Sequence, residues 1–440
     1  MKQLLAPFIQ LFKSQRSIKA VNLTFFLSGV IYFGILALLG LYFNKYIGLN
    51  DIQSGAMVGI LTSGITLFMF ILGGTAERIG PKKALFLILF FMGLGALFFA
   101  LAPVFRTKGI WSISHFIAML GLLSIIIGMG INKPGVYASL NMLTGGKVSA
   151  VDYAMLYGVQ QFGAFLPAVF SPIIRHTYGM PGVFLFYGIL GILGALFITI
   201  ILNRSTEREV LNKHKCVTQN NNKAKQSFLS SLKDQIKAIP IKDFHFLFLI
   251  IAIMPIQTLY AHQWLTLPQY LTRAFTGMVK DYFEVFENIN PLLVFLIAPM
   301  VALITAKKNT YKMLITGSLL MALPMFLLSA GPSISLLILF LIIRTFGEAI
   351  FQPRFYQAIT EMAPEGRKGL YISLADLPYM LTKAITASYS GWFLMRYCPE
   401  NVPIEQLNTE TMWTIHGLIA MITPIGLILA YKWMKSYLKN

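Results

Sequence analysis

Long apolar runs constrain this 440-residue chain more than any other feature of its sequence. A helix needs about 20 apolar residues to cross the hydrocarbon core of a bilayer. Twelve segments qualify, at residues 19–44, 51–74, 84–104, 110–143, 152–175, 181–202, 243–272, 281–306, 311–330, 333–361, 369–397 and 411–434. The sequence therefore predicts an all-α membrane protein with twelve transmembrane helices embedded in the lipid bilayer.

The composition supports a membrane protein and excludes other classes. Charged residues make up 12% of the chain and hydrophobic residues 56%, whereas about 25% of a soluble domain is charged. The net charge of +19 does not indicate nucleic-acid binding, because Lys and Arg lie mostly in short segments between the apolar runs. We expect no nucleic-acid partner.

No motif in the sequence indicates catalysis. It has no phosphate-binding loop that ends in Gly-Lys-Ser or Gly-Lys-Thr, no H-E-x-x-H metal motif and no nucleophile elbow. The two cysteines, Cys216 and Cys398, lie far apart and outside metal-ligand spacing. We therefore predict that the protein is not an enzyme and needs neither a metal nor a cofactor.

The apolar runs divide into two sets of six around a polar segment. Residues 1–202 are predicted to form an N-terminal six-helix bundle, and residues 243–440 a C-terminal one. Between them, residues 203–242 are rich in Lys, Asn, Gln and Ser, which predicts a cytoplasmic linker. This organisation is typical of secondary transporters, whose solute site lies near the middle of the membrane at the interface of the two halves.

The distribution of basic residues predicts the orientation of the chain. With the N-terminus inside, 25 Lys and Arg residues fall in cytoplasmic segments and seven in external loops, as the positive-inside rule requires. We therefore expect a multi-pass protein of the inner (plasma) membrane with both termini in the cytoplasm. Lys133, Arg344, Arg354 and Lys383 remain inside predicted spans. A charge at mid-membrane costs about 2.5–3.5 kcal/mol, so these four are expected to face a polar cavity or an opposite charge.

The loop after the second span carries a distinctive motif. It reads Gly73-Gly-Thr-Ala-Glu77-Arg78-Ile-Gly80-Pro-Lys82-Lys83. This resembles the G-x-x-x-D-R-x-G-x-[RK]-[RK] loop of the major facilitator superfamily, with Glu in place of the usual Asp and Pro81 in place of a basic residue. The resemblance implies the major facilitator fold, with two six-helix bundles. Because glycines permit a tight turn, we expect a gating loop that comprises Gly73, Glu77, Arg78, Gly80 and Lys82.

Further stretches resemble one branch of that superfamily, the proton-dependent oligopeptide transporters. They are Gly128-Met-Gly130-Ile-Asn-Lys133-Pro134, Tyr157-Gly-Val-Gln-Gln161-Phe-Gly163, Ile289-Asn290-Pro291 and Gly347-Glu348-Ala-Ile-Phe-Gln-Pro353. The resemblance implies secondary transport. The first span departs from the family, because Phe25 to Gly34 contains no charge where the family carries an E-x-x-E-R cluster. Whether the solute is a di- or tripeptide therefore stays open.

Three residues are candidates for proton coupling, namely Glu348, Asp376 and His262. Glu348 lies one helical turn after Arg344, so the two can pair. They form either a structural ion pair or a protonatable acid whose state changes during transport. His262 lies among the polar residues of the seventh span, where it either hydrogen-bonds across helices or carries a proton.

Other polar residues of the spans are candidate solute contacts. Lys133, Arg344 and Lys383 supply positive charge for an anionic or zwitterionic solute, and Tyr157, Gln161, Gln263, Asn290 and Tyr32 supply hydrogen-bonding groups. Glu284 and Glu287, at the start of the eighth span, are instead interpreted as solvated acids that favour a helix N-terminus. Of the two, Glu287, which is nearer to Asn288 and Asn290, is the better candidate to face a cavity.

These observations predict a secondary transporter that moves a small polar solute, anionic or zwitterionic and peptide- or amino-acid-like, by alternating access coupled to protons. We expect it to act as a monomer. A proton-driven exporter of drugs or lipids is the alternative, suggested by the aromatic-rich spans. A membrane-embedded enzyme or receptor on the same scaffold would need an exposed reactive constellation, which the sequence does not show.

Overall fold

The computed structural model describes residues 16–72, 74–144, 150–202, 243–305, 308–364, 371, 374–375 and 377–435. Within these residues the regular secondary structure is helical throughout, and no peptide bond is cis. The all-α prediction is therefore confirmed. The predicted linker 203–242 lies outside the described residues.

The described residues divide into two compact units. The first contains the residues up to 202 together with Tyr282–Leu292, and the second contains the others. Helices α1 to α7 of the first unit are Arg16–Tyr42, Asp51–Leu72, Thr75–Ile79, Pro81–Leu101, Ile113–Leu143, Ala150–Phe165 and Pro167–Ile201. The later helices, α8 to α18, are Phe244–Ala252, Met254–Leu265, Leu267–Ala274, Met278–Asp281, Phe283–Thr305, Thr310–Ala322, Met325–Leu328, Ile334–Met362, Leu377–Tyr397, Thr409–Leu429 and Tyr431–Lys435.

The helices account for every predicted span. In the described part of the chain, nine helical stretches are long and apolar enough to cross a membrane. One of them, Gly158–Ile201, covers two predicted spans. The two predicted spans that remain, 281–306 and 369–397, correspond to α12 and α16.

A glycine separates the two spans that lie within Gly158–Ile201. Gly179 has φ 68° and ψ −175°, which interrupts α7. A Cβ there would lie 2.7 Å from the hydroxyl of Tyr46. A side chain is thus excluded by backbone conformation and by space, and the kink ends one span before the next begins.

Small residues set the packing of the first unit, in which α4 contacts both α5 and α7. A Cβ on Gly191 would lie 2.6 Å from the Cα of Gly93, and one on Gly95 would lie 2.7 Å from the carbonyl oxygen of Gly121. Helices in lipid gain little from hydrophobic burial and associate through such close approach.

The seventh predicted span is broken twice, so that it forms α8, α9 and α10. Pro255 and Pro268 stand at the starts of α9 and α10, where a missing N–H is tolerated. At the first break, Thr423 of α17 accepts a hydrogen bond from the Ile256 N–H at 3.0 Å and donates one to the Ala252 carbonyl at 2.7 Å. Backbone groups freed inside a membrane need such partners, so Thr423 stabilises the break.

Candidate functional site

Arg344 is the most deeply buried cation of the second unit. It lies on α15 with 1% of its surface exposed. Its Nη2 donates a hydrogen bond to Oε1 of Gln263 on α9 at 2.8 Å. The guanidinium also lies 5.8 Å from the ring centroid of Tyr260, within the range of a cation–π interaction. Since an uncompensated buried charge is costly, these contacts of α9 hold a positive charge in the interior.

A second cation continues this cluster on α16. Nζ of Lys383 lies 4.3 Å from the ring centroid of Tyr379, one turn earlier on the same helix. The Tyr379 ring in turn packs edge-on against Tyr260, with centroids 5.8 Å apart. Arg344 and Lys383 are therefore linked through two tyrosine rings, and α9, α15 and α16 all contribute to one polar cluster.

Glu348 brings negative charge to the same cluster. It is partly exposed on α15. The charges of both Glu348 and Arg344 interact electrostatically with Tyr260. Glu348 makes further contacts within the protein. Of the three candidates for proton coupling, Glu348 is thus part of the cluster of Arg344, whereas Asp376 lies outside the described residues.

His262, the third candidate, contacts residues of α16 and α17. Its Nδ1 lies 2.8 Å from Oγ1 of Thr266, and its Nε2 lies 3.1 Å from the hydroxyl of Tyr389. The His416 ring of α17 stacks on it with centroids 3.8 Å apart. His262 therefore hydrogen-bonds to another helix, which is one of the two roles considered for it in the sequence analysis.

Arg354, the other cation of α15, has a structural role. Its Nη2 donates to the carbonyl oxygen of Thr305 and, at 3.2 Å, to its Oγ1, and its Nη1 donates to Gln357 at 2.7 Å. Thr305 is the last residue of α12. A cation at a helix C-terminus satisfies free carbonyl groups and the helix dipole, so Arg354 anchors the end of α12.

The candidate solute contacts of the first unit are more dispersed. Lys133 is exposed on α5 next to Pro134, which lies inside that helix. Tyr32 is 8% exposed and packs edge-on against Phe33. Gln161 is partly exposed on α6, and Asn290 is 4% exposed on α12. For Tyr157 the structure describes the helical backbone only.

Two acids of α12 correct the sequence interpretation. Glu284 and Glu287 were expected to be solvated, but both side chains are fully buried. Glu284 forms a two-pronged ion pair with Arg175 of α7, through Nε and, at 3.0 Å, through Nη2. Arg175 also lies 5.0 Å from the ring centroid of Phe283. Paired geometry of this kind replaces the water that an isolated buried carboxylate would need.

The predicted gating loop forms the turn between α3 and α4. Gly80 has φ 89°, and its N–H donates to the Ala76 carbonyl at 2.9 Å. Pro81 is the first residue of α4, where its fixed φ favours helix initiation, which explains why a proline is accommodated in the motif. Arg78 is exposed and Lys82 is partly exposed. Gly73 and the Glu77 side chain lie outside the described part.

Sequence reasoning missed the aromatic partners of these groups. The spacing of Tyr379 and Lys383, one turn apart, could have predicted their contact. No local signal connects Tyr260 with Arg344, or His262 with His416, because each pair joins helices that are distant in the chain. Among the described residues, no group of three or more His, Cys, Asp or Glu side chains could hold a metal ion.

The fold is that of known membrane carriers. The chain is similar to a crystal structure of the peptide transporter POT with sulfate, at 18% identity and a TM-score of 0.70, over 98% of this chain and 97% of the other. It is also similar to a POT family transporter in complex with 5-aminolevulinic acid, at 18% identity and a TM-score of 0.66, over 96% and 97% of the two chains. A comparison with curated proteins finds no match.

Apolar helices that enclose ionised side chains define a multi-pass membrane protein of the transporter class. The family model described as Major Facilitator Superfamily matches residues 21–385, and the chain belongs to that superfamily. The predicted fold, all-α with twelve transmembrane helices in two six-helix bundles, is therefore confirmed. Because members of the superfamily are transporters, the prediction that the protein is not an enzyme is also confirmed.

Proposed function

We propose that the protein is a proton-coupled secondary transporter that moves a small anionic or zwitterionic solute, peptide-like or amino-acid-like, by alternating access. The observation that carries this proposal is the cluster of Arg344, Gln263, Tyr260 and Glu348 in the second unit. Its chemistry suits a solute that has a carboxylate, because a guanidinium binds a carboxylate through two parallel hydrogen bonds.

In this proposal, solute exchanges with the internal partners of Arg344. Within the described part of the chain, Gln263 accepts from Nη2 of the guanidinium, which has five N–H donors in all. A solute carboxylate accepts from the donors that remain, and Lys383 on Tyr379 adds positive charge nearby. Structures with similar folds were solved with sulfate and with 5-aminolevulinic acid, which are anionic or zwitterionic ligands and support this class of solute.

Proton coupling is assigned to Glu348, together with Asp376 and His262. Glu348 belongs to the same electrostatic cluster as Arg344 and Tyr260. Protonation of its carboxyl therefore changes the net charge of that cluster. A protonated Glu348 favours a bound anion, and its deprotonation favours release. Lys133, Tyr157, Gln161, Asn290 and Tyr32 remain proposed solute contacts.

Transport assays with purified protein in liposomes test the proposal. A thermal-shift screen of peptides, amino acids, nucleosides and organic acids first identifies a ligand. That ligand should accumulate when the liposome interior is alkaline and the membrane potential is clamped. Uptake that ignores the pH gradient would exclude proton coupling. A screen that stabilises the protein only with cationic amphiphiles would favour the exporter instead.

We also propose an orientation of the chain in the membrane. The count of 25 internal against seven external Lys and Arg residues supports cytoplasmic termini in the plasma membrane. The Arg175–Glu284 pair then lies toward the external side, because both residues flank predicted external loops. We propose a monomer as the functional state.

A further inference from the structure

Two histidine rings pack closely against each other, in a tilted arrangement, inside the second unit. His262 of α9 and His416 of α17 have ring centroids 3.8 Å apart and ring planes inclined by 37°. They are 3% and 1% exposed. Most buried histidines are held by hydrogen bonds on each ring nitrogen that points inward, and the two rings differ in this respect.

The hydrogen-bonding capacity of His416 is not used. Both nitrogens of His262 have partners, in Thr266 and Tyr389. Neither ring nitrogen of His416 has a hydrogen-bond partner in the described part of the chain. A neutral imidazole carries one N–H donor and one lone pair, and leaving such groups unmatched in the interior is destabilising. A buried group of this kind calls for a functional explanation.

Three further aromatic rings pack around His416. The centroids of Phe393, Trp413 and Tyr389 lie 4.9, 5.7 and 6.3 Å from that of His416. These rings belong to α16 and α17. The pair is thus shielded from water by an aromatic wall, and a positive charge on it has no aqueous stabilisation.

The titratable groups around the pair supply no counter-charge to it. Tyr389 approaches from α16, and Tyr270 of α10 packs on Trp413 with centroids 5.1 Å apart. Cys398 and Glu410 act electrostatically on Tyr270. Within the described residues, no carboxylate contacts either ring.

The stack suits a proton better than a metal ion. Two imidazoles that ligate one metal direct their in-plane lone pairs to a common point, whereas stacked rings direct them past one another. A proton needs only one lone pair. Two protons on rings 3.8 Å apart would repel strongly in a medium of low dielectric, so the pair accommodates one positive charge at most.

We propose that His262 and His416 form a proton-binding site of the second unit, which is neutral while the rings are stacked and takes up one proton when the stack opens to water. The proton comes from the aqueous phase and binds a free ring nitrogen of His416. Acidification therefore favours separation of α9 from α17. This inference deepens the proposed function and rests on its assignment of proton coupling to His262, because it adds His416 as the second member of that site.

The location of the pair connects it to the charged cluster. His262 immediately precedes Gln263, which holds Arg344. Since α9 is a single short helix between two breaks, a displacement at His262 also moves Gln263. Proton uptake by the histidine pair thus changes the position of the adjacent Arg344 ligand on α9.

Thermal unfolding of the detergent-purified protein between pH 8 and pH 5 tests this site. If the pair is neutral when folded and takes up protons when unfolded, the melting temperature declines as the pH falls through about 6.5, the ordinary histidine value. His416→Phe keeps an aromatic ring but binds no proton, so its decline should be smaller. The exposed His176 gives the matched control, and His176→Gln should decline like the wild type. An equal decline in His416→Phe would overturn the proposal.

A fluorescence titration keeps the proposal testable if His416→Phe does not fold. The difference between wild-type and Trp413→Phe emission isolates Trp413, which lies beside His416, and a protonated imidazole quenches indole more strongly than a neutral one. Trp413 emission should show a transition only below about pH 6.5, the ordinary histidine value, when the pair opens and takes up its proton, and this transition should be separate from that of Trp433, which stacks on His245. A Trp413 signal that stays flat down to the pH at which the protein unfolds would contradict the proposal, while the transporter assignment would stand.

Discussion

Arg344 and Gln263 are joined by a hydrogen bond of 2.8 Å between α15 and α9, in an interior where Arg344 is 1% exposed. A buried guanidinium with one amide acceptor and one tyrosine ring keeps most of its donors available for another ligand. Because Gln263 is neutral, the charge of Arg344 is not cancelled by this bond. The pair therefore holds the Arg344 cation in place with a neutral acceptor, which suits the proposed binding of an anion.

Replacing Arg344 with Lys should weaken solute binding without abolishing the fold. Lysine keeps the charge but loses the planar fork that matches a carboxylate. Loss of a hydrogen bond to a charged group costs about 1.5–3 kcal/mol, which is a roughly tenfold to hundredfold rise in Kd. Ligand titration by thermal shift measures it. Arg396→Lys, at an exposed position on α16, is the control, and equal affinities in both variants would contradict the role of Arg344.

Glu348→Gln should separate exchange from accumulation. The amide resembles a protonated carboxyl and cannot release a proton, so counterflow of solute should continue while gradient-driven accumulation is lost. Both are measured with radiolabelled ligand in proteoliposomes. Glu405→Gln, in an exposed loop of the same unit, should leave both unchanged. Complete loss of ligand binding in Glu348→Gln would indicate a structural ion pair instead.

Glu284→Gln should destabilise the protein strongly. The substitution leaves Arg175 without its carboxylate partner at a site where Glu284 is fully buried, and breaking such a pair costs about 3–5 kcal/mol. Thermal unfolding in detergent measures the loss. Glu400→Gln is the control, because Glu400 lies 3.8 Å from Arg273 with 42% of its side chain exposed, and exposed pairs contribute about 0–1 kcal/mol.

The same ion pair can be tested by removing both charges. Arg175→Met combined with Glu284→Leu replaces the pair with apolar groups, which often restores stability when neither charge is left alone. The double variant should be more stable than Glu284→Gln. A double variant as unstable as the single one would show that the destabilisation arises from packing and not from the unpaired charge.

Gly179→Ala should destabilise α7 through two separable effects. The backbone of Gly179 lies in a region that is essentially restricted to glycine and costs a residue with a Cβ about 1–3 kcal/mol, and the new methyl group would meet the Tyr46 hydroxyl at 2.7 Å. Gly277→Ala places a Cβ at a positive φ without the steric effect, because Gly277 has φ 58° and nothing within 4 Å of its Cβ position. Thermal unfolding should therefore show a larger loss at Gly179, and adding Tyr46→Phe should recover part of it. Equal losses at the two glycines would rule out the steric effect.

The apolar runs alone predicted that this chain spans a membrane and that its spans are helical. Segments such as 84–104 and 333–361 are too apolar to face water and long enough to cross a bilayer. Inside lipid, backbone groups must bond within their own segment, so helix was the predicted structure and is the structure of α4 and α15. The turn at Gly80 could also be predicted from the sequence, because its positive φ depends on the glycine itself.

Only the tertiary structure decided how the polar residues are used. Arg344, Arg354 and Lys383 look alike in the sequence, as cations within spans, but they meet Gln263, the end of α12 and the ring of Tyr379 respectively. Glu284 looked like a solvated acid until Arg175 of another helix enclosed it. The His262–His416 stack likewise depends on α9 and α17 being neighbours. Transfer of an apolar segment into lipid is a property of that segment, whereas the surroundings of a buried charge depend on distant segments that pack beside it.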